Sequence, residues 1–212
     1  QLMPTQMMNF TPTQIAQMKP TAIAGMSASQ FTMLPPTAMA GFKPDQMAKM
    51  AADMFAAMTP EQMAKFNPQA LSAMKPTQFA NMPAEAMMGF KPSQFTMLPP
   101  TVFRQMKPDQ AAQLPPSVFS VLKPEQLLKM AAELLGQLSP EQIAKFAPKA
   151  IAALKPTQLA EIEPEAFGEL NGKQLSQLGP KQATGVTTEQ LKELDETQEK
   201  ALKKSFIAKL SA

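Results

Sequence analysis

Proline returns every eighth residue along this chain, and that rhythm restricts the fold more than any other property of the sequence. Counted from Pro60, prolines stand in phase at 4, 12, 20, 36, 44, 68, 76, 92, 100, 108, 116, 124, 140, 148, 156, 164 and 180. Slots without proline hold Ala28, Ala52, Ala84, Ala132, Gly172, Thr188 or Glu196, and the phase does not slip. A period held this long marks a repeat architecture.

The octad Thr59-Pro60-Glu61-Gln62-Met63-Ala64-Lys65-Phe66 shows what each unit does. The residue before proline is pushed out of helical geometry, whereas proline suits the first helical position. Thr59 therefore reads as an N-cap. With Gln62 three residues later it forms a capping box, in which each side chain satisfies the other residue's backbone N–H. The next in-phase proline stops the helix, because it lacks a donor and clashes with the turn before it. Each octad is thus predicted to be one short helix followed by a kink.

Two apolar columns accompany the rhythm: Ile15, Ile23, Phe31, Met39 and Met47 begin one, and Met18, Met26, Leu34, Phe42 and Met50 the other. Set three apart within each octad, they share a helix face. Helices this short are unstable alone, so stacking must stabilise them. The expected fold is an all-α solenoid of short proline-initiated helices.

A second period overlies the first. Gln14, Gln30, Gln46, Gln62, Gln78, Gln94, Gln110, Gln126, Gln142 and Gln158 hold the third helical position of every other octad, and Gln174 and Gln190 continue the series. These are the expected structural caps. The intervening octads hold Ala, Met, Val or Leu there, with Gln only towards the ends (Gln6, Gln182, Gln198). Several of those octads have proline at the cap (Pro35, Pro83, Pro99, Pro115), where no N–H exists for a Gln to bind. The alternation predicts a 16-residue coil of two helices. Two stretches lacking the middle proline, 43–58 and 123–138, are each expected to run as one longer helix.

Residues 1–186 are predicted to form the repeat array and 187–212 a longer C-terminal capping helix. In that last stretch proline disappears, charge rises, and Leu191, Leu194, Leu202, Phe206, Ile207 and Leu210 give an amphipathic pattern. A polar terminal cap is what a repeat array needs.

Functional chemistry is bounded by what the composition lacks. The 212 residues contain no Cys, His, Trp or Tyr. That removes imidazole bases, thiol nucleophiles and the thiolate and imidazole metal ligands. No glycine-rich phosphate loop is present, and no apolar run approaches the roughly 20 residues needed to span a membrane. No catalytic residue, cofactor, metal or small-molecule substrate is expected. All nineteen Met lie at or before Met130, and most fall in the apolar columns, which reads as core filling.

One surface pattern is regular. Lys43, Lys75, Lys91, Lys107, Lys123 and Lys155 fill the cap slot of Gln octads and are expected to form a basic ridge along one edge, a candidate contact for an anionic polymer. No Tyr or Trp accompanies it for base stacking, so nucleic acid is not the expected ligand. Residues 1–42 carry a single charge, Lys19, which makes the N-terminal coils the expected contact with another protein, self or otherwise.

The unit x-Pro-x-Gln-apolar-x-x-apolar, followed from residue 3 to about 186, resembles the proline-containing octapeptide-repeat segments of long secreted or cell-surface bacterial proteins. That resemblance implies a stalk or adhesive segment, extracellular or at the cell surface, and no activity. The run Thr59-Pro60-Glu61-Gln62 is also similar to the start of TAL-effector repeats, but the base-reading loop of those proteins has no counterpart here. The expected function is a non-catalytic structural or adhesive module. A peptide-binding scaffold is the alternative.

Overall fold

A computed structural model describes residues 3–210 and is helical throughout, with no strand among them. Helices begin at the octad slots, from Pro12–Gln17 through Pro60–Lys65 to Lys204–Leu210, and several octads adopt the tighter 3-10 form, as at Pro36–Gly41 and Ala84–Gly89. Cap residues are extended, Thr59 at φ −93°, ψ 159° and Lys91 at φ −107°, ψ 153°. The apolar columns are buried as expected. Ile15, Phe31, Met39, Phe55, Met63 and Phe79 are fully inaccessible, and Leu34, Phe42, Met58 and Phe66 nearly so. The Gln-less third position is buried too, at Ala38, Met54, Ala70 and Val102. Each octad therefore inserts three adjoining slots into the core, two of them usually large side chains worth about 1.5–3 kcal/mol each.

The coil is larger than the alternation of Gln predicts. Pro60–Lys65 packs between Pro36–Gly41 and Ala84–Gly89, and Pro164–Gly168 packs between Pro140–Ala144 and Thr188–Lys192. Among the described residues, packed helix pairs lie 24 residues apart, which is three octads. Same-slot rings one turn apart touch accordingly: Phe42 stacks on Phe66 with centroids 5.2 Å apart, and Phe31 lies 5.8 Å from Phe55. The 16-residue coil is thus corrected to a 24-residue turn of three helices. Gln alternation is chemical, and because three is odd, Gln and Gln-less octads alternate along every stack.

Contacts divide the chain into two compact units, 3–115 and 116–210 among the described residues. Each is a stack of such three-helix turns.

Two further expectations are corrected. The stretches 43–58 and 123–138 do not run as single helices: Pro44–Met47 and Ala52–Ala57 are separate, as are Pro124–Leu127 and Ala132–Leu135. At about 100° per residue, eight residues overshoot two turns by about 80°. A continuous helix would swing Phe55 away from the core side occupied by Met47, so burial imposes the break that proline supplies elsewhere. Ala51 holds φ −70°, ψ 146°, already a pre-proline conformation. Ala52→Pro should therefore be accommodated and raise stability by about 0.4–1 kcal/mol through the unfolded state, read as a higher denaturant midpoint.

The C-terminal stretch is likewise not one helix. It comprises Thr188–Lys192, Glu196–Ala201 and Lys204–Leu210, in unbroken octad phase; residues 211 and 212 lie outside the described part. The cap chemistry outlasts the prolines here, with Thr187 and Asp195 accepting from the Gln190 and Gln198 amides. The last helix, at seven residues, is the longest α-helix described.

Candidate functional site

The most regular constellation is the Gln row. In each case Oε1 accepts the N–H of the cap residue three positions back, for example Lys43 to Gln46 at 2.8 Å and Lys91 to Gln94 at 2.8 Å. Gln14, Gln30, Gln62, Gln78, Gln110, Gln126, Gln142 and Gln158 make the same bond. The reciprocal half forms where the cap side chain can accept, as from the Gln62 amide to Thr59 Oγ1 at 3.2 Å. A lysine cap has no lone pair to offer. At two of those octads the neighbouring carboxylate takes over, Asp45 accepting from the Gln46 amide at 3.0 Å and Asp109 from that of Gln110 at 2.9 Å.

The other end of the carboxamide reaches the preceding turn. Gln94 Nε2 donates to the carbonyls of Met63 at 2.7 Å and Phe66 at 2.9 Å, 31 and 28 residues back. Gln46 does so to Ile15 and Met18, Gln78 to Met47 and Met50, and Gln110 to Phe79 and Met82. In the second unit Gln158 reaches Leu127 and Met130, and Gln190 reaches Leu159 and Ile162. These carbonyls close a short helix and would otherwise lack part of their hydrogen bonding. One Gln therefore caps the start of its own helix and the end of the helix four octads earlier, which lies on the neighbouring stack. Gln46 through Gln174 are at most 3% exposed wherever they hold this slot, whereas Gln14 is exposed and Gln30 half-buried.

Sequence reasoning found the cap and missed the strap. The signal was present: Glu serves a capping box as well and suits the positive helix end better, yet this slot never takes Glu. A position that insists on Gln is asking for a donor as well as an acceptor. Gln182 and Gln198, which stood out as exceptions, are straps too, to Ile151 with Leu154 and to Gly168 with Leu170.

The expected lysine ridge does not form within the first unit. All its lysines are exposed, but with three helices per turn Lys43 and Lys91 share one stack, Lys75 lies on a second and Lys107 on a third. In the second unit Lys123 and Lys155 also begin helices of different stacks, and Lys155 Nζ donates to the Leu128 carbonyl at 3.4 Å. A 16-residue recurrence on a 24-residue turn winds around the unit instead of running along it.

Elsewhere the surface is chemically plain. Among the described residues no group of acidic side chains could hold a metal ion, and no helix is long and apolar enough to cross a membrane. Most Met side chains are buried in the columns; Met3, Met8 and Met88 are the strongly exposed ones, and the first two belong to the uncharged N-terminal stretch. An open cleft of about 630 Å³ lies in the second unit, with Ala152, Ala153, Leu154, Lys155 and Lys181 among its lining residues. No protein-family model matches the chain, and no curated protein matches it significantly.

Proposed function

We propose that the chain is a non-catalytic structural or adhesive repeat module, a spacer or self-associating protein working outside the cell or at its surface. The observation that carries this reading is the Gln strap. The polar residue most faithfully repeated is buried and satisfied at both ends by backbone, so its recurrence serves turn-to-turn cohesion and leaves nothing for a ligand. The apolar columns are equally committed to the interior. What remains outside is mostly Thr, Ser, Ala and charged side chains, with a few exposed apolar ones such as Met3 and Met8, suited to presenting length and a regular face.

Self-association through the N-terminal coils is the expected activity, with Met3 and Met8, 65% and 55% exposed, as the apolar contacts. Light scattering of the full chain should show mass rising with concentration, and Met3→Ser with Met8→Ser should reduce that rise. The cleft between Lys155 and Lys181 favours a second reading, a scaffold gripping an extended peptide. A chain that stays monomeric and binds one peptide tightly in that cleft would overturn the first reading in favour of the second.

A further inference from the structure

The three stacks of the second unit do not carry charge evenly. The helices Pro140–Ala144, Pro164–Gly168 and Thr188–Lys192 form one stack, and its octads expose Glu141, Glu163, Glu165, Glu169, Glu189 and Glu193 against only Lys145 and Lys192. A second stack comprises Ala132–Leu135, Pro156–Ala160, the turn Ala183–Gly185 and Lys204–Leu210. It exposes Lys155, Lys181, Lys203, Lys204 and Lys209 against Glu133 and Glu161. The third stack carries both signs in near balance. Within the first two, opposite charges are not paired off: among the described residues the ion pair is Lys200 with Glu196, on the third stack.

We infer that the acidic stack of one chain docks on the basic stack of a second copy, a lateral contact resting on the self-association reading above. The two rows are complementary in sign and also in pitch. Both repeat through the same turn, with neighbouring helices about 8–10 Å apart, so a match at one turn recurs at the next. An open cleft beside Lys155 and Lys181, lined in part by Ala152, Ala153 and Gly179, borders the basic row and offers a concavity in which a helix edge can seat. Because the two faces differ, the contact is heterologous and leaves one partner a free basic face and the other a free acidic face, which permits further growth.

Sedimentation of the full chain tests this at about 0.02 M and about 0.5 M salt, long and short screening lengths respectively. A salt-sensitive part of the association should be strong at the lower and largely lost at the higher, while association through Met3 and Met8 persists at both. Lys181→Glu with Lys203→Glu and Lys204→Glu should abolish the salt-sensitive association, as should Glu165→Lys with Glu169→Lys and Glu189→Lys. All six positions are exposed and none is a strap. Mixing the two variants should restore a complex, a rescue that damaged folding cannot produce. Association that ignores salt and both variant sets would overturn the lateral contact while leaving a self-associating module intact. A chain that is monomeric at every salt would overturn both. Binding of polyphosphate by these lysines with no self-association would make the basic row an anion site and likewise defeat the proposal.

Discussion

Gly89→Ala should destabilise the first unit by about 3 kcal/mol or more, near the upper end of what overpacking costs. A Cβ at this position would overlap the Pro60 carbonyl oxygen and lie 2.8 and 3.0 Å from the carbonyl carbon and Cα of the same residue. Those atoms are backbone of the helix one turn earlier, so no rotamer can relieve the clash. Gly41 against Pro12 and Gly185 against Pro156 repeat the arrangement. Gly25 supplies the control. It sits at a helix end with φ −86°, ψ −1°, and its nearest neighbours would be carbonyl oxygens 3.7 Å away. Gly25→Ala should be neutral or stabilising by up to about 1 kcal/mol. The same substitution then gives opposite signs in one chain, measurable by chemical denaturation. Equal small effects at both sites would mean that turns do not approach as closely as described.

Gln94→Ala should cost about 2–4 kcal/mol, since it removes three hydrogen bonds at once and leaves two backbone groups without a partner, each worth roughly 1–3 kcal/mol when unsatisfied. The Lys91 N–H and the Phe66 carbonyl lose their partner, and the Met63 carbonyl keeps only the Phe66 N–H. Gln94→Glu discriminates between cap and strap. A carboxylate can still accept from Lys91, so a residue that only capped would lose little. Facing two carbonyl oxygens, however, its second oxygen is repelled, and the protonated acid is the favoured form in the folded state. Its folded-state titration is therefore raised above the unfolded value of about 4.3. The variant should lose stability as pH rises through that range and recover in acid. Full stability of Gln94→Glu at neutral pH would leave the strap without energetic weight.

The octad and its helices were legible because their causes are local: a pre-proline extended residue, a cap, and a proline that ends the preceding turn. Burial of the columns followed from spacing. The number of helices per turn did not, because it depends on how consecutive extended residues such as Phe66 (φ −61°, ψ 138°) and Asn67 (φ −62°, ψ 120°) re-aim the chain at each corner. Reading the 16-residue recurrence of Gln as the coil put Lys43, Lys75 and Lys91 on one edge, and the 24-residue turn moves Lys75 to a different stack from the other two. A hint lay in the glycines. Gly41 and Gly89 are 48 residues apart and Gly185 a further 96, multiples of the shortest distance after which a 16-residue alternation and a 24-residue turn coincide. The proline-less slots misled for the opposite reason. At Ala52 and Ala132 local propensity favours continuing the helix, and packing of Phe55 and Leu135 into the core overrides it.

Nuclear Overhauser contacts from the side-chain amide protons of Gln94 test the three-helix turn most directly. Cross-peaks to Met63 and Phe66, 31 and 28 residues earlier, are the predicted result. Contacts confined to its own octad and to residues about one 16-residue alternation away, with none to Met63 or Phe66, would contradict both the strap and the 24-residue turn.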